Sequence, residues 1–547
     1  MSAGNQAVTV NDSFRYDAVI VGAGFAGLYM LYRLHALGLR TKLFEAGGDV
    51  GGTWYWNRYP GARCDVQSTE YSYSFSDELQ QRWRWSERYA SQPEILRYLQ
   101  HVAERFDLRR DVQFETRVTG AEFDPSINIW RVSTDRGDYV EARFCIMATG
   151  CLSTTKLPEI RGLNEFRGKW YHSGSWPHEE IEFGGNRVGV IGTGSSGIQL
   201  IPQVAKQAAH LYVFQRTANY SLPARNRPLD PAYEQEVKQN YMTIRRQARE
   251  SRSGASPYDS PICSALDVTQ EERLRVYEEH WRTGGIALMS RFNDLMRNEQ
   301  ANRTAAEFVR GKIRAIVDKP EVAALLTPNY LIGTKRLCAD TDYFETYNRP
   351  NVTLVDIQRS PILAIKPDGI QTRDVDYALD AIIFATGYDA MTGTLLTIDI
   401  RVKSGVTLRE KWARGPVTYL GIMTAGLPNL FMITAPGSPS VISNMVVSIE
   451  QHVEWIADCL AHMRGTGNAR IEAEESAQAA WVAHVNEVAN STLYPRGVSW
   501  YTGANVPGKP QVFMPYLGGV GVYRQKCQEI ADAGYRGFRF SRGADGS

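Results

Sequence analysis

Two stretches of the chain share one pattern of apolar and polar positions. YDAVIVGAGFAGLYMLYRLHALGLRTKLFEAG, residues 16–47, opens on a short apolar run, breaks at closely spaced glycines, continues with apolar residues at helical spacing and closes on a second apolar run. That order predicts strand, tight turn, helix and strand, a βαβ unit. NRVGVIGTGSSGIQLIPQVAKQAAHLYVFQRT, residues 186–217, repeats it. Each half also closes on a strand ending in Ala-Thr-Gly, FCIMATG at 144–150 and AIIFATG at 381–387. The expected fold is α/β, with two Rossmann-like dinucleotide-binding domains.

Helical spacing recurs between these units. SQPEILRYLQHVAERF puts Ile95, Leu99, Val102 and Phe106 on one face, and Ser91 with Glu94 predicts a capping box at its start. Residues 218–327 carry charge-rich helical patterns such as TQEERLRVYEEHW, broken by SRSGASPYDSP at 251–261. They predict a mostly helical subdomain inserted into the second domain. From Ser448, the positions Ile449, Val453, Ile456, Leu460 and Met463 predict a long amphipathic helix that completes the first domain. The domains read as 1–150 with 388–547, 151–217 with 328–387, and the insertion 218–327. Residues 1–15 read as a loose polar lead and 541–547 as a frayed tail.

Composition then narrows the partners. The 547 residues hold 61 Lys and Arg against 60 Asp and Glu, a formal charge of +1, which argues against nucleic-acid and membrane-surface partners and for a small ligand. The longest apolar run, 18–30, is cut by glycines and too short to span a bilayer, and no signal peptide precedes it. Seven scattered cysteines without a CxxC pair suit reduced thiols in a cytosol. The expectation is a cytoplasmic protein without a metal site, a monomer or weak homo-oligomer.

The glycine loops carry candidate chemistry. In GAGFAG, Gly22, Gly24 and Gly27 permit the tight turn and close approach that seat a pyrophosphate on a helix N-terminus, and Glu45 ends the next strand, where a carboxylate accepts from a ribose hydroxyl. In GTGSSG, Gly192, Gly194, Ser195, Ser196 and Gly197 repeat the loop, but the following strand ends in Arg216. A guanidinium forks onto a phosphate that a carboxylate would repel, so this site should prefer NADPH; the plainer alternative is a solvated strand end. Opposite ribose chemistry in two sites suggests a flavoprotein, with FAD on the first fold and NADPH on the second. Such proteins reduce a disulfide or activate oxygen. The disulfide branch needs a cysteine pair after the first domain's Gly-Gly, and GGTWYWNRYPGARCD, residues 51–65, supplies only Cys64.

FRGKWYHSGSWP, residues 166–177, matches FxGxxxHxxxWP through Phe166, Gly168, His172, Trp176 and Pro177. Flanked by both glycine loops and accompanied by GGTWYWNRYPGARCD and GTKRL, it resembles the type I Baeyer-Villiger monooxygenases nearly end to end, from about 16 to 540. GSPSVISNMVVSIEQHVEWI and VPGKPQVFMPYLGGVGVYR are most similar to the phenylacetone and steroid monooxygenase branch. The resemblance implies an enzyme that uses FAD, NADPH and O2 to turn a ketone into an ester or lactone through a C4a-peroxyflavin, the second oxygen atom leaving as water. A cation beside the flavin would lower the hydroperoxide's pKa and stabilise the anionic adduct, an effect worth about 3 to 4 kcal/mol per preorganised donor.

By resemblance that cation is Arg336, with Asp65 as its carboxylate partner; from the residues alone, Arg336 reads first as a surface or phosphate-contacting arginine. The resemblance also implies FAD contacts at Glu45, Thr53, Trp54, Asp65, Tyr71 and Val118, and NADPH contacts at Arg216, Thr217, Lys335 and Trp500, with Arg336 itself counted among the cofactor-binding residues. Trp500 reads alternatively as part of a packed C-terminal core. Val66, Gln92, Cys151, Leu152, Ser440, Val441, Ile442 and Met445 align with pocket positions, and Cys151 suits simple packing as well. No step requires a histidine base, so the 166–177 run reads as a hinge on the crossing between domains, with His172 hydrogen-bonding across the joint. Two rivals stand beside this reading: a flavin monooxygenase oxidising sulfur or nitrogen, and a non-catalytic NADPH-binding sensor.

Overall fold

The computed structural model describes residues 15–255 and 263–542. The polar lead at 1–14, positions 256–261 of the SRSGASPYDSP loop and 543–547 of the tail lie outside the described residues.

Strand Arg15–Val21 lies inside the first sheet. Ala18, Val19 and Ile20 are wholly buried, as expected of a parallel strand covered on both faces. It pairs in parallel with Thr41–Phe44 on one side and Tyr139–Met147 on the other, with Ile20 opposite both Leu43 and Ile146. Antiparallel Ile129–Thr134 and Val118–Asp124 extend the sheet, and Asp399–Val402 joins its edge in parallel. Leu430–Met432 also pairs with Tyr139–Met147, so distant chain returns to complete this layer. Helix Met445–Thr466 lies along helix Phe25–Ala36, tied by Arg33 to Asp458 at 3.1 Å and Tyr29 to Glu454 at 3.3 Å.

The second sheet is wholly parallel, in the order Val352–Asp356, His210–Gln215, Arg187–Ile191, Ala381–Phe384, Lys169–His172. Helix Ser195–Gln207 follows its glycine loop. Helices Pro231–Glu250, Gln270–Thr283, Glu299–Ile316 and Pro320–Leu326 occupy the chain between two short paired strands, Ser221–Pro223 and Cys338–Asp340. Tyr277, Leu295, Val309 and Ile313 from this region share one core with Ile198, Ile201 and Val213 of the second sheet and its helix. Helices Gln270–Thr283, Glu299–Ile316 and Pro320–Leu326 are therefore packed onto that unit, whereas Pro231–Glu250 lies against the first domain, where Arg245 donates to Gln80 at 3.0 Å and to the Ser72 hydroxyl at 2.7 Å. Among the described residues, no helix is long and apolar enough to cross a membrane.

Two expectations change in detail. Ser91 precedes helix Gln92–Arg105 without capping it, because Glu94 accepts from the Ser86 backbone N–H at 2.8 Å and hydroxyl at 2.9 Å, which ties the helix to the preceding loop. The long C-terminal helix begins at Met445, before Ser448, because the Asn444 side chain accepts from the Val446 N–H at 3.1 Å and caps it there.

Candidate active site

The two glycine loops are built alike. Gly22 and Gly192 both have positive φ, 105° and 111°, and in each the carbonyl of the alanine in the matching Ala-Thr-Gly fills the place a side chain would take: Ala148 O lies 2.7 Å and Ala385 O 2.4 Å from where a Cβ would stand. The repeated Ala-Thr-Gly therefore buttresses the repeated glycine turn. Gly24 backs onto Gly52, and Gly194 has no heavy atom within 4 Å of a notional Cβ, so a pyrophosphate can approach the helix starts at Phe25 and Ser195 closely. Gly27 sits against the carbonyl of Gly22. Glu45 accepts from the Ala23 and Gly47 N–H groups, both at 2.7 Å, fixing the first loop while each oxygen keeps a lone pair for a ribose hydroxyl. Burial raises its pKa, against the lowering by those two N–H groups.

Around the first crevice, Thr53 is exposed at the start of the short helix Thr53–Trp56 and Trp54 is buried. Trp54 Nε1 donates to the Tyr71 hydroxyl at 3.3 Å, with the two rings edge to face. Val118 is buried in the sheet core beside Met147, so any contact it makes with a dinucleotide comes from its backbone. At the second crevice Arg216 is exposed, Thr217 accepts from the Thr193 hydroxyl at 3.0 Å, and the Lys335 ammonium lies 4.6 Å from the Tyr330 ring centre. Burial and the charge of Arg216 both lower the Lys335 pKa. Ser195 meets the Cys338 thiol at 3.1 Å, and Ser196 lies within reach of the Tyr59 hydroxyl. These residues fit FAD in the first crevice and a phosphorylated dinucleotide in the second.

Between the crevices stands an ion pair. Arg336 Nη2 donates to Asp65 Oδ2 at 2.6 Å, with the two side chains 28% and 19% exposed. Asp65 is the main cause that pushes the guanidinium pKa further up, so Arg336 is a permanent cation. Arg336 Nη1 donates to the Val441 carbonyl at 2.6 Å. Val441 has φ 58° and is spanned by an Ile442 N–H to Ser440 carbonyl bond of 2.7 Å, a γ-turn at a β-branched residue. Its own N–H donates to the Met445 sulfur at 3.0 Å. Tyr501 also lies beside the guanidinium; burial keeps its hydroxyl protonated.

Of the pocket positions, Cys151, Leu152, Val441, Ile442 and Met445 share one apolar cluster with Trp500, Tyr501 and Phe513. Trp500 is thus partly in a packed core, 4.4 Å from the Tyr501 ring. Val66 packs instead on the first domain's core, which Met445 also touches. Gln92 is buried and its amide donates to the Trp54 carbonyl at 2.5 Å. The Ser440 hydroxyl lies near the Cys151 thiol, which itself donates to the Thr434 carbonyl at 3.2 Å.

The run at 166–177 is not a free crossing: Lys169–His172 is the edge strand of the second sheet, paired with Ala381–Phe384. Phe166 fills the core beside Ile191, and the Asp380 carbonyl lies 2.4 Å from a notional Cβ on Gly168. Among the described residues, His172 makes no hydrogen bond across the joint. Its Nδ1 accepts from Gly174 N–H at 3.0 Å and Nε2 faces the Thr386 hydroxyl at 3.3 Å, both on its own side, and burial lowers its pKa. The crossing contacts come from Trp176, whose N–H donates to the Trp56 carbonyl at 3.3 Å, and from His178 just beyond Pro177, its ring tilted against Tyr55 at 4.7 Å. Gln199, which links Tyr59 at 2.9 Å and the Arg63 carbonyl at 3.1 Å, is a further bridge the sequence did not signal. Tyr501 was reachable from its place beside Trp500; Lys156, at the second crevice, carried no motif.

The profile "Pyridine nucleotide-disulphide oxidoreductase" matches residues 19–252, although all seven cysteines are unpaired. A Baeyer-Villiger monooxygenase of Pseudooceanicola batsensis is 43% identical, covering 95% of both chains. A phenazine N-monooxygenase of Lysobacter antibioticus is 42% identical over 96% of this chain and 97% of its own. The solved structure titled oxidized steroid monooxygenase bound to NADP is 53% identical, covers 97% of this chain and 100% of its own, and superposes with a TM-score of 0.93. The paired glycine crevices and the end-to-end likeness lead to one conclusion: the chain belongs to the FAD- and NADPH-dependent Baeyer-Villiger monooxygenases, which insert one oxygen atom of O2 beside a ketone carbonyl.

Proposed function

We propose that Arg336, held by Asp65, is the cation that makes this reaction possible, and the 2.6 Å pair between the two crevices carries the reading. When bound and reduced by NADPH, FAD supplies the activation of O2. Arg336 directs a fixed positive charge at the ketone oxygen as its carbon becomes tetrahedral, and Asp65 orients the guanidinium and offsets the cost of burying it. A fork with one arm on Asp65 and another on Val441 leaves further N–H groups for an anionic oxygen.

The apolar wall of Cys151, Leu152, Val441, Ile442 and Met445 suits a bulky apolar ketone, with the Ser440 hydroxyl beside Cys151. Glu45, Thr53, Trp54, Tyr71 and Val118 serve FAD; Arg216, Thr217, Lys335 and Trp500 serve NADPH. The division 1–150 with 388–547, 151–217 with 328–387 and 218–327 is supported by the return of strands Asp399–Val402 and Leu430–Met432 to the first sheet. Seven unpaired cysteines suit the cytosol, where we place the enzyme as a monomer or weak homo-oligomer.

The test is NADPH consumption by the FAD-loaded protein in air, with and without phenylacetone or a 20-ketosteroid, with mass detection of product. A product one oxygen heavier, lost in Arg336→Ala, supports the reading. The phenazine N-monooxygenase at 42% identity favours a second reading, nitrogen or sulfur oxidation. N-oxide or sulfoxide formation that survives Arg336→Ala, with no ester from any ketone, would select it.

A further inference from the structure

A second opening lies against the apolar wall of the candidate site. It is a cavity of about 280 Å³, lined by Val488, Thr492 and Leu517 together with Glu250, Arg252 and Arg297. Leu517 belongs to the cluster that holds Cys151 and Val441, and Val488 packs against that cluster, so the cavity and the ketone wall share one apolar partition. Tyr494 packs there too, its ring 6.1 Å from Tyr501 and 6.0 Å from Phe513. Burial raises the Tyr494 pKa while Arg252 and Arg336 both lower it, so one hydroxyl feels the cation of the cavity and the cation held by Asp65.

Close backbone packing fixes Arg252. The Val520 N–H donates to the Arg252 carbonyl at 3.1 Å and the Gly521 N–H to the Ser251 carbonyl at 3.0 Å. The Arg252 stem crosses Gly519, φ 95°, where its Cγ lies 2.9 Å from a notional Cβ. These bonds occupy the first N–H groups of helix Val520–Asp532, so side chains and not the helix end supply the charge. Arg297 reaches the same cavity because the Leu493 N–H, next to Thr492, donates to the Met296 carbonyl at 2.8 Å.

Both guanidiniums are exposed, and among the described residues neither meets a carboxylate or any other acceptor, although Glu250 shares the lining. Two like charges beside one cavity repel, and a bound anion relieves them. The volume falls short of the roughly 300 to 1,000 Å³ of a complete ligand pocket, yet it is ample for a carboxylate and the carbons next to it.

We propose that this cavity is the acid end of the substrate site: the enzyme takes a ketone with a carboxylate at the far end of an apolar chain, Arg252 and Arg297 bind the carboxylate, and the carbonyl meets Arg336. Arg336 serves the chemistry, and the other two arginines select the substrate. The inference rests on reading Arg336 as the cation that faces the ketone.

The experiment uses FAD-loaded protein with NADPH in air and three methyl ketones of increasing length, 7-oxooctanoate, 9-oxodecanoate and 11-oxododecanoate, each beside its methyl ester. At least one acid should show a KM about five- to tenfold below that of its methyl ester with kcat alike, and the gap should narrow at high salt. Arg252→Met and Arg297→Met should each raise the KM of that acid and leave the methyl ester and phenylacetone unchanged, whereas damage to the fold would affect all three. Glu250→Gln, which removes the opposing charge, should lower the KM of the acid further. Decanoate, an acid without a ketone, should compete with the acid substrate; inhibition that is not competitive places the anion apart from the substrate and overturns the proposal. An equal KM for acid and methyl ester at every length, or a preference for the acid that survives both arginine substitutions, also overturns it, and oxygen-inserted product from these ketones then leaves the reading of Arg336 standing. If no ketone, acid or neutral, gains an oxygen atom, that reading falls and the acid site with it.

Discussion

Arg336 donates from Nη1 to the carbonyl of Val441 at 2.6 Å, and Val441 presents that carbonyl only by holding a left-handed backbone, φ 58°. A valine there costs on the order of 1 to 3 kcal/mol, which the bonds from Arg336, to Met445 sulfur and across the turn must offset.

Two truncations at this position separate strain from packing. Alanine and glycine both remove the buried isopropyl group, and glycine ordinarily leaves a protein less stable than alanine by roughly 0.4 to 1 kcal/mol. At a left-handed position the order should reverse, with Val441→Gly more stable than Val441→Ala by about 1 kcal/mol. Thermal unfolding of the FAD-loaded variants measures it, and the ordinary order would show that the turn is relaxed in solution.

Arg336 and Asp65 should fail differently. Arg336→Ala removes the cation and is expected to lower ketone turnover by about 10²- to 10³-fold, the scale for one oxyanion-stabilising donor, while FAD content and NADP+ affinity hold. Asp65→Asn keeps a hydrogen-bond acceptor but not the charge, so it should cost less in turnover than Arg336→Ala and raise the fraction of NADPH consumed without product. Product-to-NADPH ratios distinguish them; equal ratios in the two variants would detach Asp65 from the role of orienting Arg336.

The loops, both βαβ units and the doubled Ala-Thr-Gly were legible because each is a local pattern fixed by backbone sterics. The packing of Ala148 O on Gly22 and Ala385 O on Gly192 explains why those motifs recur together. What the letters hid was non-local. Nothing near Glu94 says that its carboxylate prefers Ser86 to a capping box, and nothing near Lys156 points to Asn505, 349 residues away. The place of His172 between two nucleotide folds suggests a bond across the joint, yet strand pairing with Phe384 holds it within the second sheet. Sequence position between two domains does not say which sheet a short strand will join.

The second glycine loop separates binding from stability. Gly194→Ala adds a methyl where no atom lies within 4 Å, so the fold should tolerate it while NADP+ affinity falls as the methyl meets the approaching pyrophosphate. Gly197→Ala puts its Cβ 2.3 Å from the Gly192 carbonyl oxygen and should instead destabilise by about 1 to 3 kcal/mol. Calorimetric NADP+ titration beside thermal unfolding would show this dissociation. Equal losses of affinity and stability in Gly194→Ala would contradict the open approach.

Acid stability should report a buried histidine far from the glycine loops. His452 is completely buried; Nδ1 accepts from the Thr434 N–H at 3.0 Å, so Nε2 carries the proton and meets the Tyr523 hydroxyl at 2.7 Å, which in turn donates to the Leu420 carbonyl. Burial lowers its pKa from 6.5 to about 3. Between those values the unfolded chain binds a proton that the folded chain refuses, so this residue's contribution is intact above pH 6.5 and shrinks as pH falls, by about 1.4 kcal/mol per unit. Asp340 works with the opposite sign: burial raises it to about 7, so its contribution is full in acid and is lost as pH rises through that value. Wild type alone therefore mixes the two, and His452→Gln, which keeps an acceptor and a donor, isolates the first. The stability difference between wild type and His452→Gln should be constant above pH 7 and move against the wild type by roughly 2 kcal/mol at pH 5. Denaturant unfolding at the two pH values measures it, and a difference that does not change with pH would mean that His452 takes up its proton in the folded protein.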